Sequence, residues 1–197
     1  MSSFRLFMSK NGGTASLVFV LTLSLALNVY FAREARFGRT RFPVPSKMRV
    51  GTKLPSALPL LDVNGKTTQL IFDDSRPTVL YVFSPTCGWC KRNEANIKTL
   101  VNADSHFRFI GLSITPTGLK DYIAQRHAPF PVYAVQSKEQ SAKLGLSVTP
   151  ETIVVGPGAV IEEAWKGAYT GDNQKQIEQF FNAKLPGLED AAAVVAH

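Results

Sequence analysis

Thr78-Val79-Leu80-Tyr81-Val82-Phe83-Ser84-Pro85-Thr86-Cys87-Gly88-Trp89-Cys90 is the stretch on which the reading of this chain turns. Its first six residues form an unbroken apolar run, as expected of a central strand buried on both faces. Ser84-Pro85-Thr86 stops the strand, and helical patterning begins at the cysteines. Residues 88–102 carry Ile97, Leu100 and Val101 on one face and Lys91, Arg92, Glu94 and Lys98 mostly on the other. Two thiols three positions apart can close a small disulfide ring with little backbone movement. The first, at a helix N-terminus, faces unpaired N–H groups and the positive end of the helix dipole, which favours its thiolate. The pattern points to thiol–disulfide redox chemistry.

The chain of 197 residues has room for one ordinary domain plus appendages, and 45% apolar residues suffice for a core. Both cysteines are invested in one motif, so a disulfide scaffold is excluded. No further cysteine pair completes a zinc site, and His106, His127 and His197 stand in no ligand spacing with Cys87 and Cys90; neither metal nor cofactor is expected. The net charge of +7 is local. Residues 1–53 hold nine Lys/Arg and one acid, whereas residues 54–197 hold thirteen and fourteen. The positive charge flanks an apolar segment and accompanies no nucleic-acid-binding motif, so nucleic acid is not the expected partner.

Residues 15–32, ASLVFVLTLSLALNVYFA, carry no charge. As a helix they span roughly 27 Å, close to the ~30 Å hydrocarbon core. The expectation is an uncleaved transmembrane signal anchor; the rival is a cleaved signal peptide, for which Ser24-Leu25-Ala26 is a weak site. The organisation is then a short segment 1–14, the anchor 15–32, a basic linker 33–50 with Pro43 and Pro45, a domain 51–185, and a flexible tail 186–197. Arg33, Arg36, Arg39 and Arg41 follow the span, and the positive-inside rule alone favours a cytoplasmic domain.

Within the domain, Leu58–Val63 and Thr67–Leu70 flank Asn64-Gly65, a hairpin signal. Phe107–Ile114 and Pro131–Val135 read as strands, and Pro116–His127 and Ser137–Leu144 as helices. Thr152–Val155 and Val160–Lys166 read as a second hairpin across Gly156-Pro157-Gly158, and Asp172–Leu185 as a closing helix. This alternation predicts an α/β fold with a mixed sheet flanked by helices and an added N-terminal hairpin.

With Cys87-Gly88-Trp89-Cys90 after the first long strand and Leu146-Ser147-Val148-Thr149-Pro150-Glu151-Thr152 before the late hairpin, the chain resembles the thioredoxin superfamily. More narrowly, it is similar to the membrane-anchored TlpA/ResA-like redoxins of bacteria; Gly51-Thr52-Lys53-Leu54-Pro55 and Asp62-Val63-Asn64-Gly65-Lys66 look like that family's N-terminal hairpin. The resemblance covers roughly residues 50–185. It implies a thioredoxin-like fold and a periplasmic or extracytoplasmic domain on the inner membrane, against the charge rule. Cys87 would attack and Cys90 resolve. Pro150 would be cis, Thr149 would pair with a substrate strand, and Pro85 and Trp89 would form an apolar rim. The implied partners are a protein disulfide, of the cytochrome c maturation or metal-site assembly type, and a membrane-bound thiol electron donor, with the protein itself a monomer. The chain departs from the pattern at two acid positions, which hold Tyr81 and Asn93; Glu94 follows, as either a proton relay for Cys90 or a solvated helix residue. Two other functions compete: a thiol peroxidase of peroxiredoxin type, although Leu80 stands where that motif has proline, and a Cu(I)-binding metallochaperone, which lacks neighbouring Met and His ligands.

Overall fold

A computed structural model describes residues 16–30, 50–72, 76–103 and 105–189. The chain divides into two units, residues 1–44 and 45–197. In the first, residues 16–30 form a helix, α1, whose apolar side chains are all exposed. None of the described helices is long and apolar enough to cross a membrane. The remaining residues of the 15–32 run lie outside the described ones, as do 1–14 and most of the 33–50 linker.

The second unit begins with a hairpin of β1 (Ala57–Leu61) and β2 (Thr67–Ile71). The connection is a five-residue loop rather than a two-residue Asn-Gly turn. Asp62 Oδ1 accepts from the N–H groups of Asn64 and Lys66 at 2.9 and 2.8 Å, and Gly65 takes φ +77°, so an acid and a glycine close the loop. β3 (Thr78–Phe83) is buried at every position. It leads into α2 (Gly88–Arg92) and α3 (Glu94–Ala103). Then come β4 (Arg108–Ser113), α4 (Leu119–Arg126), β5 (Val132–Ala134) and α5 (Lys138–Leu144). β6 (Glu151–Gly156), a 3₁₀ turn (Pro157–Ala159), β7 (Val160–Lys166) and α6 (Gly171–Phe180) complete the fold.

The seven strands form one sheet in the order β2-β1-β5-β4-β3-β6-β7. β3 pairs parallel with β4 and antiparallel with β6, so the expected mixed sheet is present. Side chains alternate across it. Leu80, Val82, Leu112, Ile153 and Val155 build the core of one face, joined by Leu146. Val79, Tyr81, Phe83 and Val154 build the other, with Cys90, Ile97, Leu100 and Ile177 packed against them.

Three expectations change. The helix expected over 88–102 is broken at Asn93, which has φ −90° and ψ 0° and turns its amide into the core. The closing helix stops at Phe180 rather than Leu185, because the chain turns at Phe181 and Asn182 takes φ +46°. Residues 186–189, expected to begin a flexible tail, instead lie bound against α2 and α3. Residues 190–197 are outside the described ones.

Candidate active site

Cys87 and Cys90 form a disulfide with their Cα atoms 5.2 Å apart, an ordinary separation for such a bond. The loop that carries them leaves the end of β3. Cys87 N–H donates to the Ser84 carbonyl at 3.0 Å, tightening the turn. Cys87 is the N-cap of α2, with extended backbone angles, and its Sγ accepts the Cys90 N–H at 3.0 Å. A sulfur that accepts an N–H in this way is stabilised as thiolate once the disulfide opens. The two sulfurs are unequal: Cys87 is half-buried, whereas Cys90 is 0% exposed and packed into the core. Only Cys87 can meet a large substrate.

The Thr149–Pro150 bond is cis. Val82 lies opposite Glu151 in the β3–β6 pairing, so Pro150 sits level with the strand end from which the cysteine loop departs. Pro150 is buried and its carbonyl accepts from Gly167 N–H at 2.8 Å. Thr149 is half-buried beside it, and Val148, just before it, is exposed. Trp89, between the cysteines, is 54% exposed, and the Arg92 guanidinium carbon lies 4.9 Å from the centre of its ring. Trp89, between the cysteines, and Val148, two residues before the cis proline, are thus open apolar surfaces. Pro85 is not: it is buried, and its Cβ lies on the side of Gly118, whose φ of +73° opens α4.

Beneath Cys90 the expected acid positions hold neutral groups that touch each other. Tyr81 is buried, and its hydroxyl reaches the Cys90 carbonyl at 3.5 Å and receives Asn93 Nδ2 at 3.5 Å, both long contacts. Asn93 Oδ1 accepts from Asn96 Nδ2 at 2.9 Å and from Tyr169 N–H at 3.3 Å. The Tyr169 hydroxyl bonds that of Thr152 in turn. Burial pushes the Tyr81 and Tyr169 phenols well above their usual range, so they stay neutral.

Two partly or wholly buried carboxylates stand near the site, one on each face of the sheet. Glu94, in the first turn of α3, is on the Cys90 face. Its Oε1 accepts from the Tyr122 hydroxyl at 3.1 Å, and its Oε2 lies 3.6 Å from an Arg126 guanidinium nitrogen. Burial raises its pKa, while Arg126 and Tyr122 oppose the shift. Glu94, Tyr122, Arg126, Tyr81 and Phe83 line a cavity of about 30 Å³, room for a water molecule. Among the described residues Glu94 thus has a hydrogen bond from Tyr122 and an ion pair with Arg126, rather than a contact with Cys90.

Glu151, which sequence reasoning missed, follows the cis proline and is 0% exposed. Neither of its carboxylate oxygens has a hydrogen-bond partner among the described residues. Lys166 Nζ stands 4.0 Å away. Burial pushes the carboxyl up to about 7, against the pull of Lys166. Its strand parity places it with Val82 and Ile153, on the face opposite Cys90. The available signal was a lone acid at the head of an otherwise uncharged strand.

The sequence matches no protein-family model and no curated protein. Solved structures do match. The thioredoxin domain of a thiol-disulfide oxidoreductase from Bacteroides vulgatus aligns at 20% identity and TM-score 0.52 over 68% of this chain and 99% of that one. A Chlorobium tepidum protein named for thiol:disulfide interchange, DsbE, aligns at 16% identity and TM-score 0.56, over 68% and 97%. A peroxiredoxin-like protein from Aquifex aeolicus aligns at 10% identity and TM-score 0.51, over 66% and 86%. The fold is thioredoxin-like.

Proposed function

We propose that this protein is a thiol–disulfide oxidoreductase that reduces disulfides in other proteins. The observation that carries the reading is the asymmetric Cys87–Cys90 pair: one sulfur half-buried at a helix N-cap and holding an N–H, the other sealed in the core, beside a cis proline. In the reduced protein the Cys87 thiolate attacks one sulfur of a target disulfide. A mixed disulfide forms, and the other target sulfur leaves as thiolate and takes up a proton. Cys90, losing its proton, then attacks Cys87 Sγ and releases the second target thiol. Two electrons pass to the target, and the Cys87–Cys90 disulfide remains. A dithiol donor returns the pair to the reduced state. Trp89, Val148 and the backbone of Thr149 receive the target chain, which adds as a short extended strand.

Glu94 is the proton acceptor for Cys90 in this scheme, through water in the cavity it shares with Tyr81. Of the two raised carboxylates, it alone lies on the Cys90 face. The setting is membrane-anchored, with the domain on the extracytoplasmic side of the inner membrane. The uncharged run 15–32 and the exposed apolar side chains of helix 16–30 support the anchor. A tether beside a membrane-bound thiol donor raises the effective concentration of the two partners. Substrates of the cytochrome c maturation or metal-site assembly type fit that location.

The test is a Cys90→Ser variant in membranes. Without the resolving thiol, Cys87 holds its target as a stable mixed disulfide, identified by mass spectrometry and lost in Cys87→Ser. Cys87 recovered only as sulfenic acid, with peroxide turnover, would point to the peroxidase chemistry of the Aquifex aeolicus neighbour's name instead.

A further inference from the structure

After α6 the chain runs back across the helices that carry the cysteines. Leu185 is 4% exposed and belongs to the same core cluster as Cys90. Beyond it, the contacts turn polar and go to two particular places. Gly187 N–H donates to Asn96 Oδ1 at 2.9 Å, and Asn96 is itself 0% exposed. Arg92 and Glu189 are joined twice. Glu189 N–H donates to the Arg92 carbonyl at 2.8 Å, and Arg92 Nε–H donates to the Glu189 carbonyl at 2.8 Å.

Both contacts lead to the disulfide. Arg92 is the last residue of α2, and its guanidinium lies over Trp89, between the two cysteines. Asn96 Nδ2 holds Asn93 Oδ1, and Asn93 reaches the Cys90 carbonyl through Tyr81. A segment that merely covered the core would need only Leu185 and its neighbours. This one grips the five-residue helix that carries Cys90 and the amide at its end. A helix that short has little stability of its own, so its position depends on what holds it. The two redox states need that position to different degrees. A disulfide demands close, directional placement of both cysteines, whereas two thiols tolerate displacement.

We propose that residues 185–189 are a strap that holds α2 through Arg92 and the α2–α3 junction through Asn96, stabilises the disulfide over the dithiol, and so makes the Cys87–Cys90 pair more strongly reducing. Arg92 and Asn96 are positioning residues. The inference rests on the reading of this pair as redox-active.

Gly187→Pro tests it without touching the core. Proline has no N–H to give Asn96, and its ring fixes φ near −65°, whereas Gly187 sits at +94°. Asn96→Ala removes the acceptor from the other side. The full-length protein in detergent is equilibrated with glutathione buffers, and the reduced fraction is counted by thiol alkylation. In each equilibrium the protein disulfide takes two electrons and two protons from two glutathione thiols, yielding the dithiol and one glutathione disulfide. The expected result is that both variants favour the dithiol about tenfold more than wild type, a shift of about 30 mV toward positive potential. Denaturation of each form should show the disulfide form losing more stability than the dithiol. Equilibrium constants within a factor of two of wild type, with both forms destabilised alike, would overturn the proposal and leave the strap a cover. A wild-type pair that neither glutathione nor excess dithiothreitol opens would instead remove the oxidoreductase reading beneath it.

Discussion

Replacing Glu151 by Gln should change how stability depends on pH, by an amount the structure sets. Among the described residues this carboxyl has no hydrogen-bond partner and Lys166 Nζ lies 4.0 Å away, and burial pushes its pKa from an ordinary 4.5 up to about 7. The unfolded chain therefore loses this proton first as pH rises. Between about pH 4.5 and 7 the unfolded state binds fewer protons than the folded one, so stability falls with rising pH and levels off above 7. The rise from 4.5 to about 7, at about 1.4 kcal/mol for each tenfold change in proton affinity, makes the total loss about 3 kcal/mol. Glu151→Gln has no such proton. Urea denaturation from pH 4.5 to 8, followed by the fluorescence of the buried Trp165, compares the two proteins. The absolute stability of the variant carries the cost of a buried amide, so the comparison is of slopes. Wild type should lose about 3 kcal/mol more than the variant over this range. Parallel curves would mean that Glu151 is solvated or hydrogen-bonded, and would refute the reasoning.

Glu94→Gln should slow decay of the mixed disulfide by tenfold or more near neutral pH, since a general base is worth about 10²-fold or more when directly placed. Unchanged decay measured by stopped-flow at every pH would remove Glu94 from the proton path. Asn93→Leu should cost about 2–4 kcal/mol in denaturant midpoints, because the Tyr169 N–H, the Asn96 amide and the Tyr81 hydroxyl lose a shared partner in the core. A loss below 1 kcal/mol would show that these groups find water instead. Trp89→Ala should raise the concentration of protein disulfide needed for half-maximal rate several-fold while leaving reaction with a small disulfide nearly unchanged. Equal effects on both substrates would place Trp89 in the chemistry rather than in target contact.

The sheet could be read from the sequence because its central strand is apolar from Val79 to Phe83 and its neighbours are bounded by Gly and Pro. The Cys87 N-cap followed from a strand that stops just before a helical stretch, and the cis Pro150 was implied by the resemblance that Val148-Thr149-Pro150 helps to carry. The helix break at Asn93 was not legible, since an asparagine on a helical face gives no sign that it will turn inward to Tyr81 and Tyr169, which lie far off in sequence. Pro85 was expected at an open rim, but whether a loop proline faces outward depends on the parts of the chain that pack around it, here a stretch near Gly118, more than thirty residues later. The docking of Gly187 and Glu189 was hidden for the same reason: the donors and acceptors are mainly backbone groups, which every residue has. Glu151 escaped notice because its burial comes from two strands closing around it.

The most direct test of the central claim is a single-turnover count of sulfur. Pre-reduced protein is mixed with an equal amount of a protein disulfide, quenched by alkylation and analysed by mass. One target disulfide should open for each Cys87–Cys90 disulfide formed, with Cys87→Ser inert and Cys90→Ser stopped at a mixed disulfide through Cys87. A target left intact while the pair stays reduced, or an adduct formed through Cys90, would contradict it.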